Sequence, residues 1–312
     1  LGSIMVASAS MPYADRLHEN AFHYVTRHGI SILVACIAAF LAYKVPMNVW
    51  FNNTFPLWLL TIGLLAVVLV AGTEVNGSTR WIRIAGFTLQ ASEVAKVMMA
   101  IFTADYVVRR AEEVRNNLSG LFRLGAVMII TVGLILAEPD LGATAVIVLM
   151  ILGVFFLAGA PPIQFIAFLA AIIVGLAAAI VFEPYRLQRA LSFTNPWADP
   201  LGTGYQLSNA LMAFGRGGFF GQGLGNSVQK LSYLPEAHTD FVFAILGEEL
   251  GYFGVLIVLF LQLLLALKAL QIGRTALFRN KFFEGYTACG IGIWFSFQTV
   301  VNVGAAAGML PT

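Results

Sequence analysis

Glu236, His238 and Asp240 lie within five residues of one another, in the run Leu234-Pro235-Glu236-Ala237-His238-Thr239-Asp240-Phe241. Such a cluster has the parts for proton transfer: a carboxylate can accept the proton of an attacking hydroxyl, and a second acid and an imidazole can hold it in place. His238 and Asp240 are two positions apart and cannot share a helix face, so they converge only through turn or extended backbone. Thr239 and Asp240 are also good capping types for the apolar segment that opens at Phe241. Capping and catalysis both fit the pattern.

Three further groups carry charge where little is expected. Glu93 and Lys96 are three apart at the start of an apolar stretch, on one helix face and close enough to pair. A lysine near a helix end can snorkel to the interface. The sharper reading is a charged pair facing an internal cavity, because ionisable groups inside membrane segments are rare and cost roughly 2.5–3.5 kcal/mol each. Arg80 and Arg83 flank Trp81 in NGSTRWIRIAGFTLQ, which reads as a short amphipathic element at the interface. Guanidinium groups there can bind phosphate oxygens bidentately or simply anchor the interface. Glu138-Pro139-Asp140 forms a tight turn between two apolar runs, where Asp140 is expected to cap the helix starting near Leu141.

These residues sit in a chain of 312 residues that is 59% hydrophobic and only 11% charged, with a mean hydropathy of +0.83. Soluble domains carry about 25% charged residues, so the bilayer must be the main solvent here. A spanning helix needs about 20 mostly apolar residues. Spans are expected near 29–45, 55–72, 92–108, 121–137, 141–159, 163–182, 241–267 and 284–304, and residues 1–10 read as the end of a first helix. The segments after Val108 (Arg109, Arg110, Arg115, Arg123) and after Leu267 (Lys268, Arg274, Arg279, Lys281) are basic, which places them in the cytoplasm and 183–240 outside. The whole of 1–312 reads as a single integral membrane domain with 183–240 as its large external loop.

Other signals fail their context tests. The glycines of 215–225 follow no strand–turn–helix pattern and end in no Lys-Ser/Thr, so close-packed or flexible backbone is expected instead of a phosphate loop. His18, His23 and His28 are five apart, a spacing that scatters them around a helix and argues against a metal site. Asn76-Gly77-Ser78 matches a glycosylation pattern of a length common by chance. Cys36 and Cys289 read as buried, reduced thiols. A formal net charge of +2 gives no reason to expect nucleic acid.

Taken together, these residues resemble the SEDS proteins (shape, elongation, division and sporulation), polytopic peptidoglycan glycosyltransferases of bacteria. The resemblance runs over essentially the whole chain, from IMVASAS to NVGAAAGMLPT. It is most specific over 195–251, NPWADPLGTGYQLSNALMAFGRGGFFGQGLGNSVQKLSYLPEAHTDFVFAILGEELG. Trp197, Gly225-Asn226-Ser227, Lys230 and Tyr233 are similar to the division type more than to the elongation type. The resemblance implies an all-α bundle of ten transmembrane helices, of which about nine fall in this chain, the first partial and the tenth missing. It implies lipid II as substrate, polymerised with inversion into β-1,4 glycan strands at the outer face of the bacterial cytoplasmic membrane, at the division septum. Asp240 matches the family's essential aspartate and becomes the general-base candidate. Lys96 and Arg80 are assigned to the pyrophosphate, Glu93 to orienting Lys96 or the sugar, and Glu236 and His238 to positioning Asp240. No cofactor is assigned, and a divalent cation (Mg or Mn) beside the pyrophosphate is compatible. The implied partners are a class B penicillin-binding transpeptidase, other division proteins and membrane lipid. The competing readings are a lipid II flippase, an elongation-type polymerase and a non-catalytic scaffold.

Overall fold

The structure, a computed structural model, describes all residues except 76, 77, 85, 86, 117, 183–192, 194, 232, 311 and 312. Asn76-Gly77 and much of the first part of the long external segment therefore lie outside the described residues. The helices are α1 (Gly2–His18), α2 (His23–Lys44), α3 (Met47–Asn52), α4 (Thr54–Ala71), α5 (Ala91–Arg109), α6 (Ala111–Asn116), α7 (Leu118–Ala137), α8 (Leu141–Leu157), α9 (Pro162–Val181), α10 (Tyr205–Gly217), α11 (Val242–Phe278) and α12 (Phe282–Ala306). Each expected span corresponds to one of them. Among the described residues four helices, α2, α4, α11 and α12, are long and apolar enough to cross a bilayer, and no residue of α2 is buried. This is a multi-pass α-helical membrane protein.

Three details depart from the sequence reading. Residues 73–90 form a small antiparallel sheet of β1 (Thr73–Val75), β2 (Ser78–Ile84) and β3 (Phe87–Gln90), with Trp81 opposite Gln90 and Arg83 opposite Thr88. The β-branched and aromatic residues of Thr79-Arg80-Trp81-Ile82-Arg83-Ile84 suit a strand. The helix that opens at Val242 runs to Phe278, so Lys268 and Arg274 lie on its extension and the connecting loop is only 279–281. Cys36 is exposed on α2, and only Cys289 is buried.

The chain divides into two compact units. The first comprises Leu1–Ala42, Val174–Gln262 and Thr299–Thr312. Its core gathers Met5 and Ala9 of α1, Ala210 and Ala213 of α10, Leu234, Ala237 and Phe241, and Ala244, Ile245 and Leu246 of α11. Here α11 is broken at Gly251, whose backbone (φ 65, ψ −170) only glycine adopts readily. The break leaves helix carbonyls and amides unpaired, and the glycine-rich segment takes them up: Gln222 N and Gly223 N donate to the Glu248 and Glu249 carbonyls (2.9 and 3.0 Å), while Tyr252 N and Phe253 N donate to those of Gly218 and Phe219 (3.0 and 3.1 Å). A Cβ at Gly217 would collide with the Gly247 carbonyl, and one at Gly221 with that of Glu249. Gly217 and Gly221 thus serve close backbone packing.

The second unit comprises Tyr43–Ile173 and Leu263–Gln298. Its core joins Leu65 and Val68 of α4, Ala95 and Met99 of α5, and Ile147 and Ile151 of α8, all fully buried. Small residues on α5 (Ala91, Ala95, Ala100, Ala104) let neighbouring helices approach closely. Between α7 and α8 the turn 138–140 is pinned from β2, where Arg80 Nε donates to the Glu138 carbonyl (3.0 Å) and an Nη to that of Pro139. Asp140 caps α8 as expected, accepting from Ala143 N (3.0 Å), and also accepts from Gln90 Nε2 (3.1 Å) and Ser92 Oγ (2.9 Å).

Glu138 is fully buried, and neither carboxylate oxygen has a partner among the described residues. Burial, helped by the neighbouring Asp140 and opposed by Arg80, pushes its pKa from an ordinary 4.5 up to about 7. Between those values the folded protein keeps a proton that the unfolded chain has released, so stability falls as pH rises through this window and levels off above it. Glu138→Gln cannot ionise. It should melt higher than the parent at about pH 8 and no higher near pH 4.5, measured by thermal unfolding in detergent; an equal effect at both would refute the buried-acid account.

Candidate functional site

The first unit holds the acid cluster. Glu236 adopts φ 54, an uncommon conformation for a residue with a Cβ. That bend turns its carbonyl toward the following residues, where it accepts from Thr239 N (3.1 Å) and Phe241 N (3.2 Å). Thr239 Oγ1 donates to the Glu236 carboxylate (2.6 Å), so Thr239 braces the turn instead of capping α11. Ala237 and Phe241 point into the core while Thr239 and Asp240 are exposed. Asp240 therefore presents its carboxylate outward from a turn held on both sides by buried apolar neighbours.

His238 is built into an aromatic corner. Its ring stacks on Tyr13 of α1 (centroids 4.9 Å apart) and lies 5.2 Å from Tyr24 of α2. Burial lowers its pKa, with Glu236 and Asp240 pulling the other way, so it is neutral near pH 7. Its contacts in this corner are aromatic. His18 and His23 do not lie on one helix. α1 ends at His18, Glu19 turns left-handed (φ 51), and α2 begins at His23, which brings the two rings into a stack 4.0 Å apart. Five-residue spacing scatters side chains only along an unbroken helix. Among the described residues no three His, Cys, Asp or Glu side chains cluster to hold a metal ion.

The second unit holds the cationic residues. Lys96 is buried, with 1% of its side chain exposed, and Nζ donates to Glu93 Oε1 (2.7 Å) and Gln298 Oε1 (2.8 Å). It also sits 5.5 Å from the centroid of Trp294, whose Nε1 donates to the same Gln298 oxygen (3.2 Å). Snorkelling is excluded by that burial. The Glu93 side chain is half exposed, so the pair is open on its acidic side only. Gln298 and Trp294, 202 and 198 positions from Lys96, are the partners that sequence reasoning missed; nothing in helical spacing marks them. Arg80 lies in the same unit, but two of its nitrogens already hold the 138–140 turn. Its guanidinium is therefore fixed in direction as well as charged.

The geometry thus groups Glu236, His238 and Asp240 in one unit and Arg80, Glu93 and Lys96 in the other. Several known proteins share this chain's pattern. "Probable peptidoglycan glycosyltransferase FtsW" of Acinetobacter baylyi is 67% identical over 312 residues, covering all of this chain and 78% of that protein. The protein of the same name from Tolumonas auensis is 58% identical over all of this chain and 81% of its own length, and that of Escherichia coli O157:H7 is 49% identical over all of this chain and 75% of its own. Among solved structures, a chain from a peptidoglycan synthase complex, studied for its coordination of polymerization and crosslinking, superposes with a TM-score of 0.74 at 25% identity, over 99% of this chain and 87% of that one. The rod shape determining protein RodA of Thermus thermophilus shares the fold, with a TM-score of 0.66 at 24% identity over 98% of this chain and 82% of that one. The model of the FtsW, RodA and SpoVE cell cycle proteins matches residues 1–312, and the chain belongs to that family.

Proposed function

We propose that this protein is a peptidoglycan glycosyltransferase of cell division that polymerises lipid II, with Asp240 as general base. The observation that carries the reading is the exposed carboxylate of Asp240, on a turn braced by Glu236 and Thr239 and pinned by Ala237 and Phe241, in a chain 67% identical to a protein named as such an enzyme. An exposed carboxylate on a turn fixed by its neighbours is within reach of an incoming sugar hydroxyl.

In the reaction proposed, Asp240 takes the proton of the acceptor sugar's 4-hydroxyl as its oxygen attacks the donor's anomeric carbon. The bond to undecaprenyl pyrophosphate breaks and its electrons leave with the phosphate. One displacement inverts the α-linked donor to a β-1,4 link. The leaving group gains charge as the bond breaks, so fixed cations stabilise that moment most. Lys96 and Arg80 are the residues of that sign, with Glu93 orienting Lys96. A class B penicillin-binding transpeptidase and other division proteins are the proposed partners, and the septum the proposed place of work. A buried lysine and a helix broken within a span are features a lipid flippase would share; lipid flipping by purified protein in vesicles, with no glycan formed, would reverse the ranking.

With labelled lipid II and the transpeptidase partner present, Asp240→Asn should reduce glycan synthesis by about 100-fold or more, since a positioned base contributes roughly 10²–10⁴-fold. Its melting temperature should be unchanged, because the side chain is exposed; normal polymerisation by this variant would remove the base assignment. Lys96→Met keeps the length of the side chain but removes the Nζ donor from Glu93 and from Gln298, whose oxygen keeps the Trp294 donor. Synthesis should again collapse, and Lys96→Arg should not restore it, since a planar fork cannot occupy the same buried site. Recovery with Arg would mean that only charge matters there.

A further inference from the structure

Glu248 and Glu249 are adjacent, fully buried carboxylates inside the apolar α11, and the reaction just described uses neither. Each has a distinct set of partners in the first unit. Glu249 accepts from Lys230 Nζ (2.7 Å) and from Ser8 Oγ of α1 (2.7 and 2.8 Å to its two oxygens), and Lys230 Nζ also donates to Ser8 Oγ (3.0 Å). Glu248 accepts from Ser227 Oγ, from the amides of Val228 (3.0 Å) and Gln229 (3.3 Å), and lies 3.5 Å from Arg216. Lys230 and Ser227 are themselves buried.

The placement along the chain gives these contacts their meaning. Residues 227–230 precede the turn that carries Asp240, and residues 248–249 follow it. The two carboxylates therefore join both ends of one segment, with Asp240 near its middle. Their backbone carbonyls hold Gln222 and Gly223 at the helix break, so each glutamate is fixed by main chain as well as by side chain. Burying two carboxylates in a membrane helix is unfavourable unless every oxygen is matched. Here each side chain is matched by several donors, all but Ser8 of α1 and Arg216 of α10 drawn from residues 227–230.

We propose that Glu248 and Glu249 are positioning residues for glycosyl transfer, which clamp the segment from Ser227 to Glu249 and so hold Asp240 at its working place. The inference rests on Asp240 being the base. Glu249 acts through Lys230 and Ser8, tying the segment to α1; Glu248 acts through the Ser227–Gln229 turn.

The test uses the full chain with its transpeptidase partner. Glu249→Gln leaves Lys230 charged in a buried site and can fail to fold. Lys230→Met/Glu249→Leu removes both charges and should restore the melting temperature. In this folded double variant, kcat for lipid II polymerisation should fall at least ~10-fold, since small misplacements near a reacting centre are costly. KM should stay within about two-fold, because ground-state binding is untouched. Backbone amides of 231–240 should exchange with deuterium faster than in the parent, while those of α8 in the other unit stay unchanged. Wild-type kcat in the double variant, or unchanged exchange across 231–240, would overturn the proposal. If the parent itself forms no glycan, the polymerase reading falls, and the exchange measurement still decides whether the clamp holds the segment.

Discussion

A helix that crosses a bilayer has no water to satisfy groups left without partners, and in this protein that constraint bears hardest on α11. The helix breaks at Gly251 within its span and carries Glu248 and Glu249 immediately before the break. Unsatisfied backbone groups at such depth would cost several kcal/mol each, and uncompensated carboxylates more. The glycine-rich segment answers both demands. Its amides and carbonyls complete the broken backbone, and the chain that follows delivers Ser227, Val228, Gln229 and Lys230 to the carboxylates.

From that lock the position of Asp240 follows. Once 227–230 is tied to α11, the intervening residues must turn back toward Val242, and Glu236 in its left-handed conformation makes the reversal. Leu234, Ala237 and Phe241 enter the core, so the alternate positions Thr239 and Asp240 are driven outward. The aromatic stack of Tyr13 on His238 closes the turn from the side of α1. Exposure of the carboxylate is thus a result of packing around it, and rigidity of the turn is what allows an exposed group to be well placed.

Lys96 and Glu138 show the two fates of a buried ionisable group. Lys96 retains a full set of neighbours, a carboxylate, an amide oxygen and an aromatic face. Glu138 has Arg80 nearby, but that guanidinium donates to main-chain carbonyls and leaves the carboxylate unmatched. The acid therefore holds its proton to higher pH. The same arginine fixes the 138–140 turn, so the capping of α8 by Asp140 and the direction of the Arg80 guanidinium depend on one set of contacts.

Local interactions were legible in the sequence and distant ones were not. The spans, the Glu93–Lys96 pair and the Asp140 cap follow from apolar length, from three-residue helical spacing and from the preference of aspartate for helix starts. The sheet at 73–90 was partly written in the β-branched and aromatic content of its middle strand, which competes with an amphipathic reading over so few residues. The His18–His23 stack was hidden because spacing arguments assume an unbroken helix, and a single left-handed residue at Glu19 removes that assumption. Lys230 and Glu249 are 19 positions apart, and Ser8 is 241 from Glu249. No periodicity connects such residues. What the sequence does hold is the anomaly itself: two adjacent glutamates and a glycine inside an apolar run must find partners somewhere, and a long loop rich in glycine and polar residues just before them is where those partners had to come from.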